Sequence, residues 1–329
     1  MSSTDNLWTV VLAAGDGTRL AALTLDAGGQ AVPKQYCSLR GGPSLLQEAL
    51  DRASHLAPPS RTCVIVAQGH QRYWKPLAAA LPDANLIVQP ENRGTLHGIL
   101  LCVAAIVQRD PTARIVFLPA DHHVANEPAL RIALQGFGRA INLHADRLLL
   151  LGIAPDEPDS ELGYIIPGNR LDGEAHDVTC FVEKPDAPRA RDLIAGGAVW
   201  NSFIFGAHAR MLRDLLHAHA PDALAAVSAA LSAGVARDET LALAYRTLPN
   251  RDFSRDVLQA SSGHLGVMIA PACGWTDLGT PRRVGETLAR LQQPTRRRRP
   301  ARSGPAYVNL AHQHARLSRS VPALAGATP

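Results

Sequence analysis

The stretch VVLAAGDGTRL, residues 10–20, decides how the rest of the chain is read. An apolar, β-branched run passes directly into a turn holding Gly15 and Gly17, with Arg19 two residues beyond the second glycine. A strand that ends this way presents backbone N–H groups to anions, and glycine lets phosphate oxygens come close to that backbone. Ala13, Ala14, Gly15, Asp16, Gly17, Thr18 and Arg19 therefore form a candidate phosphate-holding turn. An ordinary strand-to-helix turn has the same composition, so the turn needs company before it means anything.

Two familiar nucleotide fingerprints do not fit it. A dinucleotide motif requires a third glycine where Leu20 stands, and an acid for the ribose where the next apolar run ends in VAQG. The Gly-Lys-Ser/Thr ending of a P-loop is also missing. An NAD(P)-dependent oxidoreductase remains the alternative that the strand and helix pattern alone supports.

Outward from the turn, short apolar runs (TCVIVA, NLIVQ, RIVFLPA, LLLLGI) alternate with segments whose apolar positions recur every three or four residues, such as 43–56, 95–110 and 128–145. Strands apolar throughout are buried on both faces, and their alternation with helices predicts an α/β, Rossmann-like, doubly wound and mostly parallel sheet. Ligands of such sheets bind at the rim formed by the strands' C-terminal ends. Residues 1–291 are expected to form a single catalytic domain, and residues 292–329 an Arg/Pro-rich linker and tail.

Of the chain's 329 residues, 46% are hydrophobic, which suffices for a substantial core. No run approaches the roughly 20 apolar residues of a membrane span, and MSSTDN lacks the features of a signal peptide, so the expectation is a cytoplasmic protein without membrane contact. Five cysteines form no CxxC pair and read as reduced core thiols. The formal charge of +4 is local: seven arginines and no acids follow Leu291, leaving 26 bases against 29 acids in the rest. An acidic body, and an RRRR run (296–299) without interleaved aromatics, predict no nucleic-acid partner.

Lysine is scarce. Among 33 basic residues only Lys34, Lys75 and Lys184 are lysines, so these positions call for a compact ammonium where arginine is otherwise used. Lys34 lies in PKQY, fifteen residues past Arg19, and Lys184 in FVEKPD.

At this point a resemblance emerges. LAAGDGTRL followed by PKQY resembles the signature of the sugar-1-phosphate nucleotidyltransferases, and within them the mannose-1-phosphate guanylyltransferases. The likeness continues in order through QPENRGTLHGILL, VFLPADHHV, LGIAPDEPDSELGYI, FVEKPD, WNSFIFGA, DFSRDVL and GWTDLGT, over roughly residues 7–291. Two departures stand out: a longer loop between Arg19 and Lys34, and Leu-His where Ala-Pro usually follows the threonine of RGT. Because the tail is short, the C-terminal β-helix or cupin domain of longer relatives is not expected in residues 292–329.

The resemblance implies transfer of a nucleotidyl group, GMP from GTP, to a hexose 1-phosphate, mannose 1-phosphate, with release of pyrophosphate. It implies Arg19, Lys34 and Lys184 as catalytic cations, and Mg²⁺ held by Asp121 and Asp277. Glu91, Gly94 and Thr95 would face base or ribose; Gly163, Glu183, Lys184 and Asn201 would face the sugar phosphate. Such a reaction needs no general base, because a phosphate monoester is largely dianionic at neutral pH. His122 and His123, adjacent on an extended chain, should point to opposite sides and so form no metal pair. Other sugars, cytidylyl transfer as in the methylerythritol phosphate branch that PKQY also resembles, and a homo-oligomeric state stay open at this level.

Overall fold

The computed structural model describes residues 6–78, 81–292 and 307–320. Its strands are β1 (Leu7–Ala13), β2 (Thr62–Ala67), β3 (Leu86–Gln89), β4 (Arg114–Pro119), β5 (His123–Val124), β6 (Leu148–Ile153), β7 (Gly163–Arg170), β8 (Ala175–Glu183), β9 (Val199–His208), β10 (Leu265–Ile269) and β11 (Trp275–Thr276). Nine of them form one sheet in the order β3-β2-β1-β4-β9-β6-β10-β8-β7. Alternate residues of β1 enter two separate apolar cores: Val11 and Ala13 join the helices Leu45–Ser54 and Glu127–Leu143, while Trp8 and Val10 join Thr95–Arg109 and Ala209–His219. The sheet is thus covered on both faces, as its apolar strands require.

The parallel arrangement holds for β3-β2-β1-β4 and again for β6 with β10. Elsewhere the sheet is mixed. β9 runs antiparallel to both β4 and β6, and β8 is antiparallel to β10 and β7. The expected mostly parallel sheet is therefore limited to these two parts, for a physical reason: β7 and β8 are joined by a tight turn at Gly173 (φ 74°), and a short connection cannot carry the chain back to a parallel start. β7 also pairs with β9 at Tyr164 and Ile165, so this half of the sheet folds back on itself.

Helix starts follow their sequence signals. Ser44 and Gln47 form a reciprocal capping box, and the side chains of Asn126 and Asp186 accept the N–H groups of Ala129 and Arg189. Cys37, Cys63, Cys102 and Cys273 are buried free thiols, and burial pushes Cys37 up to about 12 and Cys63 to about 11, as in unreactive core cysteines. Among the described residues, no helix is long and apolar enough to cross a membrane.

The arginine run 296–299 lies outside the described residues. Beyond it, the chain returns to the body. Ser38 and Asn309 form a parallel bridge, the Ser38 N–H donates to the Val308 carbonyl (2.9 Å), and Leu310 is wholly buried. Gln313 then donates to the Leu25 carbonyl at 2.8 Å. The helix Leu310–Ser320 thus covers the loop between Arg19 and Lys34.

Candidate active site

Between β1 and β4 the strand order reverses direction, the place where open α/β sheets bind ligands. A cleft of about 490 Å³ opens there, within the usual size for a small-molecule site. Ala14, Gly15, Gly17 and Arg19 line one side, Asp121 and Asp277 the floor, and Gly163, Glu183, Lys184 and Asn201 the far side. Most of the residues nominated from the sequence meet here although they come from distant parts of the chain.

The turn after β1 is fixed from beneath. Gln35 donates to the carbonyls of Ala13 (2.9 Å) and Gly15 (2.8 Å), which makes the PKQY segment the support of the turn. Gly17 has φ 64°, and a Cβ there would meet the Lys34 N at 3.1 Å, whereas a Cβ on Gly15 would meet nothing within 4 Å. The segment Thr18–Leu23 is a 3-10 turn and not an α-helix, so any anion here is held by backbone N–H groups and Arg19 without a long helix dipole. Asp16 faces away, held by Asn92 (2.7 Å) and His70 (3.3 Å).

Lys34 is displaced from its expected place over a triphosphate. It is buried, its Nζ 2.9 Å from Asp121 Oδ2, and it donates to the Asp277 carbonyl at 2.6 Å. Lys34 therefore ties the two acid-bearing segments together below the cleft. The longer loop preceding it is absorbed locally, because Asp26 accepts the N–H groups of Gly28 and Gln30 and Leu25 bridges to Ala31.

The acids adjoin through a two-residue antiparallel ladder, in which Trp275 pairs with Val124 and Thr276 with His123. Asp277 is buried with Oδ1 lacking a hydrogen-bond partner, while Asp121 is partly exposed to the cleft. Burial opposes ionisation of Asp121, but the Lys34 ammonium bonded to it holds its carboxyl below the ordinary range. Hard carboxylate oxygens suit Mg²⁺, and Asp277 Oδ1 makes no hydrogen bond, with Arg283 Nε 3.7 Å away. Among the described residues there is no group of three or more His, Cys, Asp or Glu that could cage a metal, so a cation here must complete its shell with substrate oxygens and water, which is how Mg²⁺ ordinarily binds.

His122 lines the cleft, and His123 faces Glu48 on the other side at 3.9 Å, as alternation along a strand requires. Burial drives the His122 imidazole down to about 4, so it is neutral, and Trp275 donates its indole N–H to Nδ1 at 3.2 Å.

On the far side, the Glu183 carboxylate lies 3.0 Å from Lys184 Nζ. Burial lifts the Glu183 carboxyl above its usual range, and Lys184 opposes that shift. A Cβ on Gly163 would come within 2.7 Å of Glu183 Oε2, so only glycine leaves that carboxylate in place. Asn201 accepts the Phe203 N–H at 3.0 Å.

The proposed base wall is more constrained than expected. Gly94 has φ 86°, and a Cβ there would collide with the Arg251 carbonyl; Thr95 donates to Asp252 (3.2 Å) and accepts the Phe253 N–H (2.8 Å). Both line the cleft, but their polar atoms serve the Pro249–Phe253 loop. Glu91 does not line it: its carboxylate is held by Arg93 at 2.7 Å. Gln89, buried and lining the cleft, was missed by sequence reasoning, as were Glu161, which pairs with Arg19 at 2.6 Å, and Asp252. Only the QP and EL dipeptides beside the nominated residues could have pointed to the first two.

Among the described residues, the non-glycine positions with left-handed backbone are Lys184 (φ 49°), Phe203 (φ 57°) and Leu278 (φ 50°), each lining or adjoining this cleft. Such conformations cost about 1–3 kcal/mol each and concentrate at functional sites.

A glycine turn, two carboxylate-bearing segments and flanking cations thus meet at the sheet's switch point. The chain matches the Nucleotidyl transferase family over residues 8–293, and it belongs to that family. It is 30% identical over 292 residues to a mannose-1-phosphate guanylyltransferase of Escherichia coli strain K12, and 29% identical over 285 residues to one of Klebsiella pneumoniae. Each match covers 83% of this chain but only 58% of the relative's own length. A crystal structure from Thermus thermophilus, described as a mannose-1-phosphate geranyltransferase, superposes with a TM-score of 0.75 at 29% identity, covering 88% of this chain and 80% of that one. A Helicobacter pylori protein described as a mannose-6-phosphate isomerase superposes with a TM-score of 0.61 at 21% identity, covering 82% of this chain and 99% of that one, which shows a shared fold.

Proposed function

We propose that this chain joins a nucleoside triphosphate to a hexose 1-phosphate, releasing pyrophosphate and a nucleotide diphosphate sugar, with GTP and mannose 1-phosphate as the preferred pair. The observation that carries the reading is Lys34, which fastens Asp121 to the Asp277 segment at the floor of a cleft flanked by Arg19 and Lys184. The choice of GTP and mannose rests on the relatives' names.

The two reactants are both anions, so the barrier is repulsion and poor alignment more than weak nucleophilicity. The turn from Ala14 to Thr18 and Arg19 receives the triphosphate. Arg19 exchanges its exposed partner Glu161 for phosphate oxygens, a change that forfeits little. Lys184, half-exposed on a strained backbone, turns from Glu183 toward the sugar phosphate, and Glu183 is then free to accept hydroxyls. Lys34 holds the floor acids in register without touching substrate. When bound to Asp121 and Asp277, Mg²⁺ supplies neutralisation of the reacting phosphates.

A panel of nucleoside triphosphates crossed with hexose 1-phosphates, read by released pyrophosphate with and without Mg²⁺, tests the reading. Turnover with GTP and mannose 1-phosphate above all other pairs is expected. Absence of pyrophosphate with every pair removes the transferase reading, and preference for another pair removes only the assignment of substrates.

A further inference from the structure

Of the three left-handed non-glycine residues among the described residues, two have a role in the site as described. Lys184 is a cation of the far side, and Leu278 follows Asp277 and offers its carbonyl to Lys34 at 3.4 Å. Phe203 has none, yet it lines the same cleft. A bulky aromatic residue is among the least suited to positive φ, where glycine is the unstrained choice.

The local chain holds it there by several bonds. Between Asn201, which opposes Gly152, and Phe205, which opposes Leu150, three residues of β9 face a single residue of β6. This bulge is pinned by side chains: Asn201 Oδ1 accepts the Phe203 N–H (3.0 Å), Ser202 Oγ accepts the Ile204 N–H (3.1 Å), and Ser202 donates to the Leu151 carbonyl (2.5 Å). Bulges beside active sites re-aim a side chain. Here the re-aimed group is the Phe203 ring, only partly buried and edge-on to Phe205 at 5.5 Å.

We propose that Phe203 is a substrate-positioning and size-selecting residue: its ring forms the apolar wall of the hexose subsite and favours a compact hexose 1-phosphate over one bearing an N-acyl group. The assignment rests on the transferase reading above. The sugar side is assigned because Phe203 and Asn201 line the same cleft and the Phe203 backbone N–H is bonded to Asn201, whose Cβ lies 3.4 Å from where a Gly163 Cβ would stand, beside Glu183. The C–H face of a hexose is apolar and suits an aromatic surface, and a ring in place of glycine removes room that a larger substituent would need.

The test uses the full chain with Phe203→Gly, which relieves the backbone, and Phe203→Leu, which keeps apolar bulk. Steady-state kinetics vary each substrate in turn, and thermal melting reports folding. The expected result for Phe203→Gly is a cooperative melt near that of the parent, a KM for hexose 1-phosphate raised about tenfold, and a nucleoside triphosphate KM within about twofold. Relative kcat/KM for a 2-acetamido-2-deoxyhexose 1-phosphate should rise about tenfold, with Phe203→Leu between the two. A parent that is active while Phe203→Gly leaves the sugar KM and the sugar preference within about twofold overturns the assignment and leaves the transferase reading intact. A change confined to the triphosphate KM also overturns it. A parent that forms product with no hexose 1-phosphate removes both.

Discussion

Lys34 Nζ stands 2.9 Å from Asp121 Oδ2 while its stem is buried, so the ammonium serves a carboxylate of the same chain and not solvent. It also satisfies the Asp277 carbonyl, and a single amine thereby sets the spacing of the two acids. A guanidinium is wider and planar and cannot take that place, which accounts for a lysine in a chain that otherwise uses arginine. Lys34→Met should lower turnover at least about a hundredfold and cost about 1–3 kcal/mol in stability, less than the roughly 3–5 kcal/mol of a fully buried pair because Asp121 is partly exposed. Lys34→Arg should fail to restore turnover. Near-parental rates for either variant, with Mg²⁺ dependence unchanged, would contradict this role.

Arg19 presents the opposite case. Its ion pair with Glu161 joins two largely exposed side chains and contributes at most about 1 kcal/mol. Arg19→Ala should therefore melt within a few degrees of the parent yet lose turnover by about 10²–10³. Comparing pyrophosphate release with a thermal melt checks both halves, and a parallel loss of stability and activity would show that the residue is structural.

Gly94 tests the base wall. With φ 86°, and with the Arg251 carbonyl occupying the space that a Cβ would need, Gly94→Ala must shift the Pro249–Phe253 loop. The expected cost is above about 2 kcal/mol by chemical denaturation. An alanine variant as stable as the parent would mean that the loop is not held as described.

His97 gives a pH dependence. Burial, with Arg251 and Arg93 nearby, lowers the imidazole below its ordinary value, against the pull of the Pro249 carbonyl bond and Asp256. In the folded chain it therefore takes up a proton less readily than in the unfolded chain, where the value is about 6.5. Protonation favours unfolding, so stability is full above about pH 6.5 and declines as pH falls below it. His97→Gln retains a donor for Pro249 and removes the titration. Its unfolding free energy should fall less steeply than the parent's below about pH 6.5; an identical slope would exclude His97 as the source.

The turn at Gly15 and Gly17, the buried strands and the acid at the end of β4 were legible because each is written in neighbouring residues: apolar runs, glycines, a strand-terminal carboxylate. Asp121, Asp277, Gly163, Glu183, Lys184 and Asn201 were brought to one cleft as expected. Position within the site was less legible. Whether Lys34 reaches up to a ligand or across to Asp121 depends on where a segment 243 residues later lies, and no local pattern encodes that. The antiparallel entry of β9, the pairing of Glu161 with Arg19, and the occupation of Thr95 by Asp252 are likewise long-range. Phe203 was hidden for another reason: a left-handed aromatic contradicts its own propensity, so the rules that read the rest of the chain would never place it.

The ladder of β5 with β11 has a consequence for how activity is acquired. One acid emerges before the middle of the chain and the other near residue 277, and that two-residue ladder, together with Lys34, sets them side by side. A polypeptide interrupted ahead of Trp275 keeps the glycine turn and the parallel strands but has half of the cation's anchorage. On the proposed reading, Mg²⁺-dependent turnover would report that this ladder has closed, and a chain ending short of Trp275 would lack it.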